Sequence, residues 1–323
     1  MIDRRQLLFA AAALAALPAW ARGPARYPDP ARELMVPVDG GRVYVRVNGD
    51  LAAPKPPVVI LHGGPGGTHA AYLDALALAD ERAVILYDQL DSGRSDRPDD
   101  PAHWRVARFV DELEAVRHAL GVARWHVVGH SWGGTIALEY AARHADHLVS
   151  VVLASPLIST RSWIADTDAL RGQLAAPIRN ELARCQALPD PQPPTCSAAT
   201  NAFYAAFNGR EPPSEGMIAY RPPGDRGFNP KLYATMWGRS EFAVSGTLKD
   251  YNGEPLLAKL DGARTLFIGG QHDEARPVTL AAFVARVPGA EFAVVPGAAH
   301  GIFGDRPSET VGILRGWMSR HDQ

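Results

Sequence analysis

The sequence predicts an α/β fold with a mostly parallel central sheet, flanking helices and an inserted helical cap. Short apolar runs typical of buried strands alternate with stretches of helical periodicity up to about residue 155 and again after residue 262. Such alternation is typical of βαβ units, whose connecting helices cover a parallel sheet. The alternation is missing between residues 156 and 261, and residues 177–230 contain ten prolines. We expect this segment to form a cap.

Length and composition limit the class of protein. The chain has 323 residues, of which 46% are hydrophobic and 21% charged, as in an ordinary globular protein. The 33 Lys and Arg residues nearly balance the 35 Asp and Glu residues, and no basic block occurs. This balance argues against a protein that binds nucleic acid through its phosphates. Two cysteines are too few for a disulfide scaffold or a four-thiolate zinc site, and no metal or organic cofactor is implied.

Residues 1–21 have the layout of a secretory signal peptide. Arg4 and Arg5 precede an apolar run at residues 7–17, and a small-x-small cleavage pattern ends at Ala21. The run is short for a membrane span, and an amphipathic helix is the alternative. The arginine pair resembles a twin-arginine export signal. We expect a periplasmic or secreted bacterial protein that is soluble after cleavage. Loss of two arginines and one aspartate changes its net charge from −2 to −3.

The predicted core comprises residues 22–155 and 262–323. Apolar runs predict strands at residues 34–38, 42–47, 57–61, 83–87, 125–128, 148–153, 265–268 and 291–295. Helical periodicity predicts helices at residues 109–120, 132–143, near 278–287 and at 308–318. Asp39-Gly40-Gly41 predicts a hairpin between the first two strands.

Both cysteines, Cys185 and Cys196, lie in the predicted cap with ten residues between them. In an oxidising compartment they could close a small loop through a disulfide. Two free buried thiols are the alternative.

The segment Gly129-His130-Ser131-Trp132-Gly133 matches G-x-S-x-G, in which a strand turns sharply into a helix. A predicted strand precedes it and a predicted helix follows, which is the context that this motif requires. Glycines allow the tight turn, and the helix N-terminus favours negative charge that develops beside the serine. The motif predicts Ser131 as a nucleophile.

A serine nucleophile needs a base, and the base needs an orienting acid. Asp273 and His300 each follow a predicted strand, in the order serine, acid, histidine that accompanies this motif. The carboxyl ends of parallel strands share one edge of a sheet, so the three side chains can converge. His272 is a rival base, but it comes before the final strand. Glu274 is a rival acid, one residue deeper in its loop.

A tetrahedral intermediate needs preorganised hydrogen-bond donors. One predicted donor is the backbone N–H of Trp132, and the other is the N–H of Gly64 in the glycine loop after the third strand. A phosphate-binding loop is the alternative reading of these glycines. It fails because no Lys-Ser/Thr pair follows and Pro65 lacks an N–H.

The chain resembles the proline iminopeptidase family of α/β hydrolases from about residue 36 to the C-terminal helix. The resemblance rests on the following segments: His62-Gly63-Gly64-Pro65-Gly66-Gly67, Tyr87-Asp88-Gln89 with Gly93-Arg94-Ser95, and Gly129-His130-Ser131-Trp132-Gly133-Gly134. Residues 236–242 and 246–248 resemble the cap of the tricorn-interacting-factor branch in particular. The resemblance therefore implies an α/β-hydrolase fold.

The resemblance also implies a role for Glu241, because cap carboxylates in this family bind the free α-amino group of the substrate. A solvated or structural glutamate is the alternative reading. A second carboxylate is expected earlier in the cap, where Glu211, Glu215 and Asp225 are all possible. The chain departs from the family at Asp91, which replaces a usual glycine; aspartate tolerates the left-handed conformation, so we expect the turn to survive.

The implied activity is that of a serine aminopeptidase. It would release an N-terminal residue such as proline from short peptides or amino-acid amides through an acyl-enzyme, with no nucleic-acid partner. An esterase or amidase using the same triad on substrates without an α-ammonium group is the first alternative. A binding protein that kept the fold and lost turnover is the second. Dehalogenase-type chemistry is excluded, because it would need a carboxylate at position 131.

Overall fold

The computed structural model describes residues 26–188, 192–220 and 224–322, so the predicted signal peptide lies outside the described residues. The strands in this part of the chain are β1 (Arg32–Val38), β2 (Gly41–Asn48), β3 (Val58–Leu61), β4 (Val84–Tyr87), β5 (Trp125–His130), β6 (Leu148–Ala154), β7 (Gly238–Ser240), β8 (Ala243–Val244), β9 (Thr265–Gly270) and β10 (Glu291–Val295). Each strand predicted from an apolar run is present, with ends shifted by at most two residues.

Eight of these strands form one sheet in the order β1-β2-β4-β3-β5-β6-β9-β10. β1 pairs antiparallel with β2, and β2 pairs antiparallel with β4, whereas the other neighbours are parallel. The register Val38↔Gly41 closes the predicted hairpin through Asp39 and Gly40. The predicted α/β class with a mostly parallel sheet is confirmed.

Helices cover both faces of this sheet. Those described are α1 (Val106–Ala119), α2 (Trp132–Arg143), α3 (Thr160–Arg171), α4 (Ala176–Gln186), α5 (Pro194–Phe207), α6 (Glu215–Ala219), α7 (Pro230–Met236), α8 (Pro277–Val284), α9 (Ile302–Asp305) and α10 (Pro307–Ser319). A 3₁₀ stretch, His69–Asp80, adds to them and was not predicted. Among the described helices, none combines the length and apolarity that crossing a membrane requires.

The central strands are buried along their whole length, which explains their continuous apolar sequences. Because β3, β5, β6, β9 and β10 run in parallel, the loops after them meet at one edge of the sheet. These loops begin at residues 62, 131, 155, 271 and 296. They contain the residues predicted to act in catalysis, so the topology gathers the site at this edge.

The segment between β6 and β9 holds α3 to α7 and the small antiparallel pair β7–β8. We refer to residues 156–261 as the cap. It has an apolar cluster of its own, which includes Leu170, Leu182, Phe203 and Phe242. A disulfide joins Cys185 on α4 to Cys196 on α5. The two cysteines are therefore bonded, and the alternative of two free buried thiols is wrong.

Candidate active site

Ser131 lies at the turn between β5 and α2 with a positive φ of 56°. The turn is tight because neighbouring backbone leaves no space for side chains at its glycines. A Cβ at Gly129 would lie 2.2 Å from the carbonyl oxygen of Gly133, and one at Gly133 would lie 2.3 Å from that of Leu61. The Ser131 N–H donates to the carbonyl oxygen of Ala154 at 2.9 Å, which ties the turn to β6. The predicted nucleophile is thus held in a fixed, strained turn.

Asp273 is a buried carboxylate whose two oxygens are fully engaged. Oδ1 accepts from His300 Nδ1 at 2.9 Å and from the N–H of Ala275 at 2.8 Å. Oδ2 accepts from Ser155 Oγ at 2.5 Å and from the N–H of Gly270 at 3.0 Å. Burial opposes ionisation, but the charge of His300 and these hydrogen bonds lower the pKa of Asp273. The structure therefore supports an ionised acid oriented toward the predicted base.

His300 is held on every side by the fold. Its backbone N–H donates to the carbonyl oxygen of Phe207 in the cap. Trp163 of α3 contacts its ring edge-on, with 5.4 Å between the ring centroids. The rival base His272 only reaches the carbonyl oxygen of Ala298, through its backbone N–H. His300 is therefore the histidine that pairs with Asp273, as predicted.

His130 connects the predicted nucleophile to the predicted base, a function that the sequence did not indicate. Its Nε2–H donates to the carbonyl oxygen of His300 at 2.8 Å, and its Nδ1 accepts from Tyr72 Oη at 2.8 Å. Tyr72 Oη in turn accepts from the N–H of Gly63 at 2.9 Å. Burial lowers the pKa of His130 to about 3, so the ring is neutral. In the part of the chain described, Ser131 and His300 are joined through this neighbour and not by a direct hydrogen bond.

The glycine loop after β3 lies against the serine. A Cβ at Gly63 would come 3.0 Å from Ser131 Cβ, a tight contact that a larger residue could make only if Ser131 shifted slightly. The backbone N–H of Gly63 donates to Tyr72 Oη and is therefore not free for a ligand. The structure records no partner for the backbone N–H of Gly64 or of Trp132 among the described residues. These two donors are the pair predicted for the oxyanion.

Gln89 joins the three motifs that carry the family resemblance. Its side-chain amide donates to the carbonyl oxygen of His62 at 3.0 Å and accepts from Trp132 Nε1 at 2.9 Å. Its backbone N–H donates to His62 Nε2 at 3.0 Å. Burial lowers the pKa of His62 to about 4, which keeps this ring neutral and able to accept. Gln89 thus fixes the glycine loop relative to the start of α2.

Glu241 enters the site from the cap, at the turn between β7 and β8. Its Oε1 accepts from Tyr233 Oη at 2.5 Å, and its backbone carbonyl oxygen accepts from Trp163 Nε1 at 3.0 Å. Burial raises the pKa of Glu241, while the Tyr233 hydrogen bond and the charge of His300 act in the opposite direction. The cap therefore supplies a half-buried carboxylate on which the charge of His300 acts.

Glu274 is a buried carboxylate in the same site. The sequence indicated it only as an alternative to Asp273 as the acid. Its Oε1 accepts from Asn208 Nδ2 at 2.6 Å and lies 3.8 Å from His300 Nε2. Its Oε2 is buried and has no hydrogen-bond partner among the described residues. Burial and the nearby charge of Glu241 raise its pKa well above the usual value. An uncompensated buried oxygen of this kind is costly unless a cation or donor binds there.

The structure does not place the expected earlier cap carboxylates beside Glu241. Glu211 pairs with Arg306 at 2.9 Å, and Asp225 accepts from the N–H of Gly227 at 2.7 Å. Glu215 is in the first turn of α6 and, like Glu211, lines the cavity of about 680 Å³ described below. The carboxylate whose pKa the charge of Glu241 raises is instead Glu274, which follows β9 and lies outside the cap. The sequence signal that could have indicated Glu274 was its position directly after Asp273.

Asp91 has the left-handed conformation that was expected, with a φ of 65°. Its carboxylate accepts from Trp104 Nε1 and from the N–H of Asp99, both at 2.8 Å. Its carbonyl oxygen accepts from Asn229 Nδ2 of the cap at 2.8 Å. The aspartate therefore replaces glycine without loss of the turn and adds contacts that hold it.

A cavity of about 680 Å³ adjoins these residues. Its lining includes Tyr72, His130, Asn208 and Gly301, each of which is bonded to or next to a residue described above. Most of the remaining lining comes from the cap and from the loop that contains α9. The volume has room for a few amino-acid residues but not for a folded chain.

Comparisons with known proteins agree with this fold. A model of the alpha/beta hydrolase fold matches residues 56–307. A proline iminopeptidase of Heyndrickxia coagulans is 34% identical over 287 residues, which cover 89% of this chain and 98% of the relative. Another of Levilactobacillus brevis is 33% identical over 299 residues, covering 90% and 98%.

The solved structures lead to the same family. The crystal structure of a proline iminopeptidase from Mycobacterium smegmatis is 35% identical, covers 90% of this chain and 99% of that chain, and superposes with a TM-score of 0.80. The finer resemblance to the tricorn-interacting-factor branch stays a prediction. The family itself is shown by sequence and structure together: the chain belongs to the proline iminopeptidase family of α/β hydrolases.

Proposed function

We propose that this protein is a serine aminopeptidase that releases an N-terminal residue, proline among the candidates, from short peptides or amino-acid amides. The relatives named above are proline iminopeptidases, which supports the activity. The observation that carries the proposal is a pair of carboxylates whose charges act on His300, the half-buried Glu241 and the buried Glu274. Oε2 of Glu274 is buried and has no hydrogen-bond partner among the described residues, so the pair suits a cationic group such as an α-ammonium.

In the first half of the reaction, Ser131 Oγ attacks the carbonyl carbon of the substrate's first residue. His300 takes the hydroxyl proton on Nε2, and Asp273 stabilises the imidazolium through Nδ1. The N–H groups of Gly64 and Trp132 hold the oxyanion as it forms. His300 then gives the proton to the departing amine, which leaves an acyl-enzyme on Ser131.

Water completes the reaction by attacking the acyl-enzyme. His300 again acts as the base, the same donors hold the second oxyanion, and collapse releases the free amino acid. The fold holds the acid, the base and the two oxyanion donors in place before substrate binds, whereas the hydrogen bond from Ser131 Oγ to His300 Nε2 has to form when substrate enters. Such preorganisation avoids rearrangement during the chemical steps.

The two glutamates explain why cleavage would occur after the first residue only. A substrate bound with its ammonium group between Glu241 and Glu274 has its first carbonyl next to His300 and Ser131. A residue inside a chain has no charged amine and would leave the two carboxylates without a cation. Only a substrate with a charged N-terminal amine can therefore neutralise these carboxylates.

The test compares proline p-nitroanilide, alanine p-nitroanilide and p-nitrophenyl acetate as substrates of the native protein and of Glu241→Gln. Glu254→Gln is the matched control, because Glu254 is a cap carboxylate paired with Arg286 at 2.6 Å and lies outside the lining of the cavity. We expect Glu241→Gln to lower kcat/KM for the anilides about 10²–10³-fold, the effect of removing one partner of a buried charge pair, and to spare the ester. Turnover of the ester alone, unchanged in Glu241→Gln, would instead identify an esterase.

We also propose that the protein is exported. The arginine pair before an apolar run and the disulfide in the cap support this, because disulfides form and persist in oxidising compartments. The substitution Arg4-Arg5→Lys-Lys should trap the precursor in the cytoplasm, as measured by cell fractionation. Unchanged secretion of that variant would refute the twin-arginine route.

A further inference from the structure

Two histidines and a glutamate come together at the end of α2 that lies away from Ser131. Glu114 belongs to α1, His144 follows the last residue of α2, and His147 ends the 3₁₀ turn before β6. One ring nitrogen of each histidine and one carboxylate oxygen of Glu114 lie within 4.8 Å of one another. All three residues are half-buried, so an ion from solvent can reach them.

Glu114 and His147 have the spacing of two ligands of one metal ion. The distance from Glu114 Oε2 to His147 Nδ1 is 3.2 Å. In a tetrahedral zinc site with bonds of about 2.0–2.1 Å, neighbouring ligand atoms are about 3.3 Å apart. An ion can therefore take the place of the proton between these two atoms without a large movement of either side chain.

His144 is available as a third ligand. Its ring lies nearly parallel to that of His147, with 5.8 Å between the centroids, and stacks on Tyr140. Among the described residues, the structure records no hydrogen bond to either ring nitrogen of His144. A neutral imidazole with an unused nitrogen is the most common metal ligand in proteins. Rotation of the half-buried ring about its side-chain torsions supplies the movement that closes the set to tetrahedral spacing.

Neighbouring side chains hold the carboxylate of Glu114 in one orientation. Tyr140 Oη donates to its Oε2 at 2.8 Å, and Arg117 Nε donates to the same oxygen at 3.0 Å. Such partners orient a ligating carboxylate before an ion arrives. Arg117 also offsets the negative charge of Glu114, so the cluster has little charge with which to attract a hard cation.

The donor set therefore selects among metal ions. Two imidazoles and one carboxylate suit Zn²⁺, Cu²⁺ and Ni²⁺, which bind nitrogen well. Ca²⁺ and Mg²⁺ require several oxygen ligands, which this cluster does not supply. The other grouping of potential ligands in the described part of the chain, Glu181 with Cys185 and Cys196, has both sulfurs in the disulfide.

We propose that Glu114, His144 and His147 form a binding site for a divalent transition-metal ion, best matched by Zn²⁺, that joins the end of α2 to α1. Three protein ligands leave the fourth tetrahedral position to water. On binding, His147 Nδ1 gives up the proton that it shares with Glu114, and the ring is left neutral with its proton on Nε2. No electron is transferred.

The position of the site indicates a role in stability and not in catalysis. α2 has 12 residues, so about 18 Å of helix separates this end from Ser131. An ion held by both α1 and the residues after α2 binds the folded chain only, because the unfolded chain does not bring these ligands together. Binding therefore stabilises the fold. This inference does not depend on the proposed aminopeptidase function.

The first test is calorimetric titration of the EDTA-treated, dialysed chain, purified without a histidine tag, with ZnCl₂. We expect one zinc ion per chain. His144→Ala and His147→Ala should each lower the affinity more than about 100-fold, because loss of a ligand exceeds the 10–100-fold cost of losing an outer partner. His118→Ala is the matched control, since His118 is exposed on α1 outside the cluster. No binding to the native chain, or equal binding in both variants, would overturn the proposal.

The second test measures thermal unfolding. Zinc at 100 times its Kd should raise Tm of the native protein by at least about 3 °C, whereas MgCl₂ and CaCl₂ at the same concentration should not. Far-UV circular dichroism of the metal-free variants checks that they fold. An unchanged Tm in zinc, or the same rise in folded His147→Ala, would contradict the proposal.

The third test identifies the ligand atoms through Cu²⁺ in place of Zn²⁺. Electron paramagnetic resonance of the one-to-one complex should show hyperfine coupling to two imidazole nitrogens in the native protein and in His118→Ala. His144→Ala and His147→Ala should each retain one. The same number of coupled nitrogens in the native protein and both variants would place the ion elsewhere and refute the site.

Discussion

The loops of the core and the cap each supply a carboxylate whose charge acts on His300, but the two carboxylates differ in burial and in hydrogen bonding. Asp273, in the core, accepts four hydrogen bonds, and its pKa is lowered. Glu241, in the cap, has Tyr233 as the hydrogen-bond partner recorded for its carboxylate, and its pKa is raised. The first carboxylate is complete without a ligand, whereas the second has capacity left for one.

This difference separates catalysis from selection. A fully bonded carboxylate keeps one geometry and one charge, which suits the orientation of a base. A carboxylate with free acceptor capacity in a buried place gains most when a cation arrives. Glu274 lies between the two regions, because it follows Asp273 in the core and has Asn208 of the cap as a partner. Changes in the core should therefore affect all substrates, and changes in the cap only those with an amine.

The largest effect is expected from Ser131→Ala. It should reduce kcat about 10⁴–10⁶-fold for proline p-nitroanilide and for p-nitrophenyl acetate alike, since both need the nucleophile. Steady-state kinetics on purified protein measure this, and an unchanged melting temperature serves as the folding control. Retention of either activity within tenfold would mean that the reaction does not use Ser131.

A smaller effect that is again equal for both substrates is expected from Gln89→Ala. This change leaves Trp132 Nε1 and the His62 loop without their common partner, so the oxyanion donors lose alignment. We expect kcat to fall about 10²-fold, in line with small displacements of catalytic groups. A KM effect without a kcat effect would show that Gln89 does not position the donors.

Tyr233→Phe should separate the substrates. The phenol is the recorded hydrogen-bond donor to the carboxylate of Glu241, and its loss raises the pKa of that carboxyl and frees its rotation. We expect kcat/KM for proline p-nitroanilide to fall about tenfold, as for one hydrogen bond to a charged group, with the ester unchanged. An equal fall of kcat/KM for the ester would contradict the difference between core and cap, because it would place Tyr233 in the catalytic machinery.

The smallest effect on activity is expected from removal of the disulfide in Cys185→Ala with Cys196→Ala. The bond closes a loop with a sequence separation of 11, so the free energy of unfolding should fall by about 2–3 kcal/mol. Denaturant unfolding measures this, and the native protein with a reductant is the control. The anilide activity should fall only a few-fold and the ester activity not at all. Unchanged stability would mean that the bond does not constrain the unfolded chain.

The two regions also differ in how far the sequence predicts them. Strands such as β10 and helices such as α2 match their predicted limits, because each has its own apolar pattern and turn residues. Ser131, Asp273 and His300 follow strand ends, so the topology of a parallel sheet is enough to bring them to one edge. The glycine loop was predictable because close backbone approach requires glycine.

The remaining parts depend on contacts that no local pattern encodes. The positioning by His130 needs Tyr72 and the carbonyl oxygen of His300, which is 170 residues away in sequence. Glu274 was passed over because a carboxylate next to the triad acid looked like a rival. Its true neighbour, Glu241, approaches only when the cap folds over the sheet. The cap helices α3, α4 and α5 are 11–14 residues long, as long as those of the core, but prolines and not strands separate them, so the strand–helix alternation did not indicate them.

The central claim is that the two glutamates select for an α-ammonium group, and the most direct test removes that group from the substrate. Proline p-nitroanilide and cyclopentanecarboxylic acid p-nitroanilide share the five-membered ring and the leaving group and differ in the ring nitrogen. The account predicts that kcat/KM of the native protein favours the proline compound at least about 10³-fold, and that Glu241→Gln removes most of this preference. Equal rates on the two anilides, or a preference that survives in Glu241→Gln, would contradict the account.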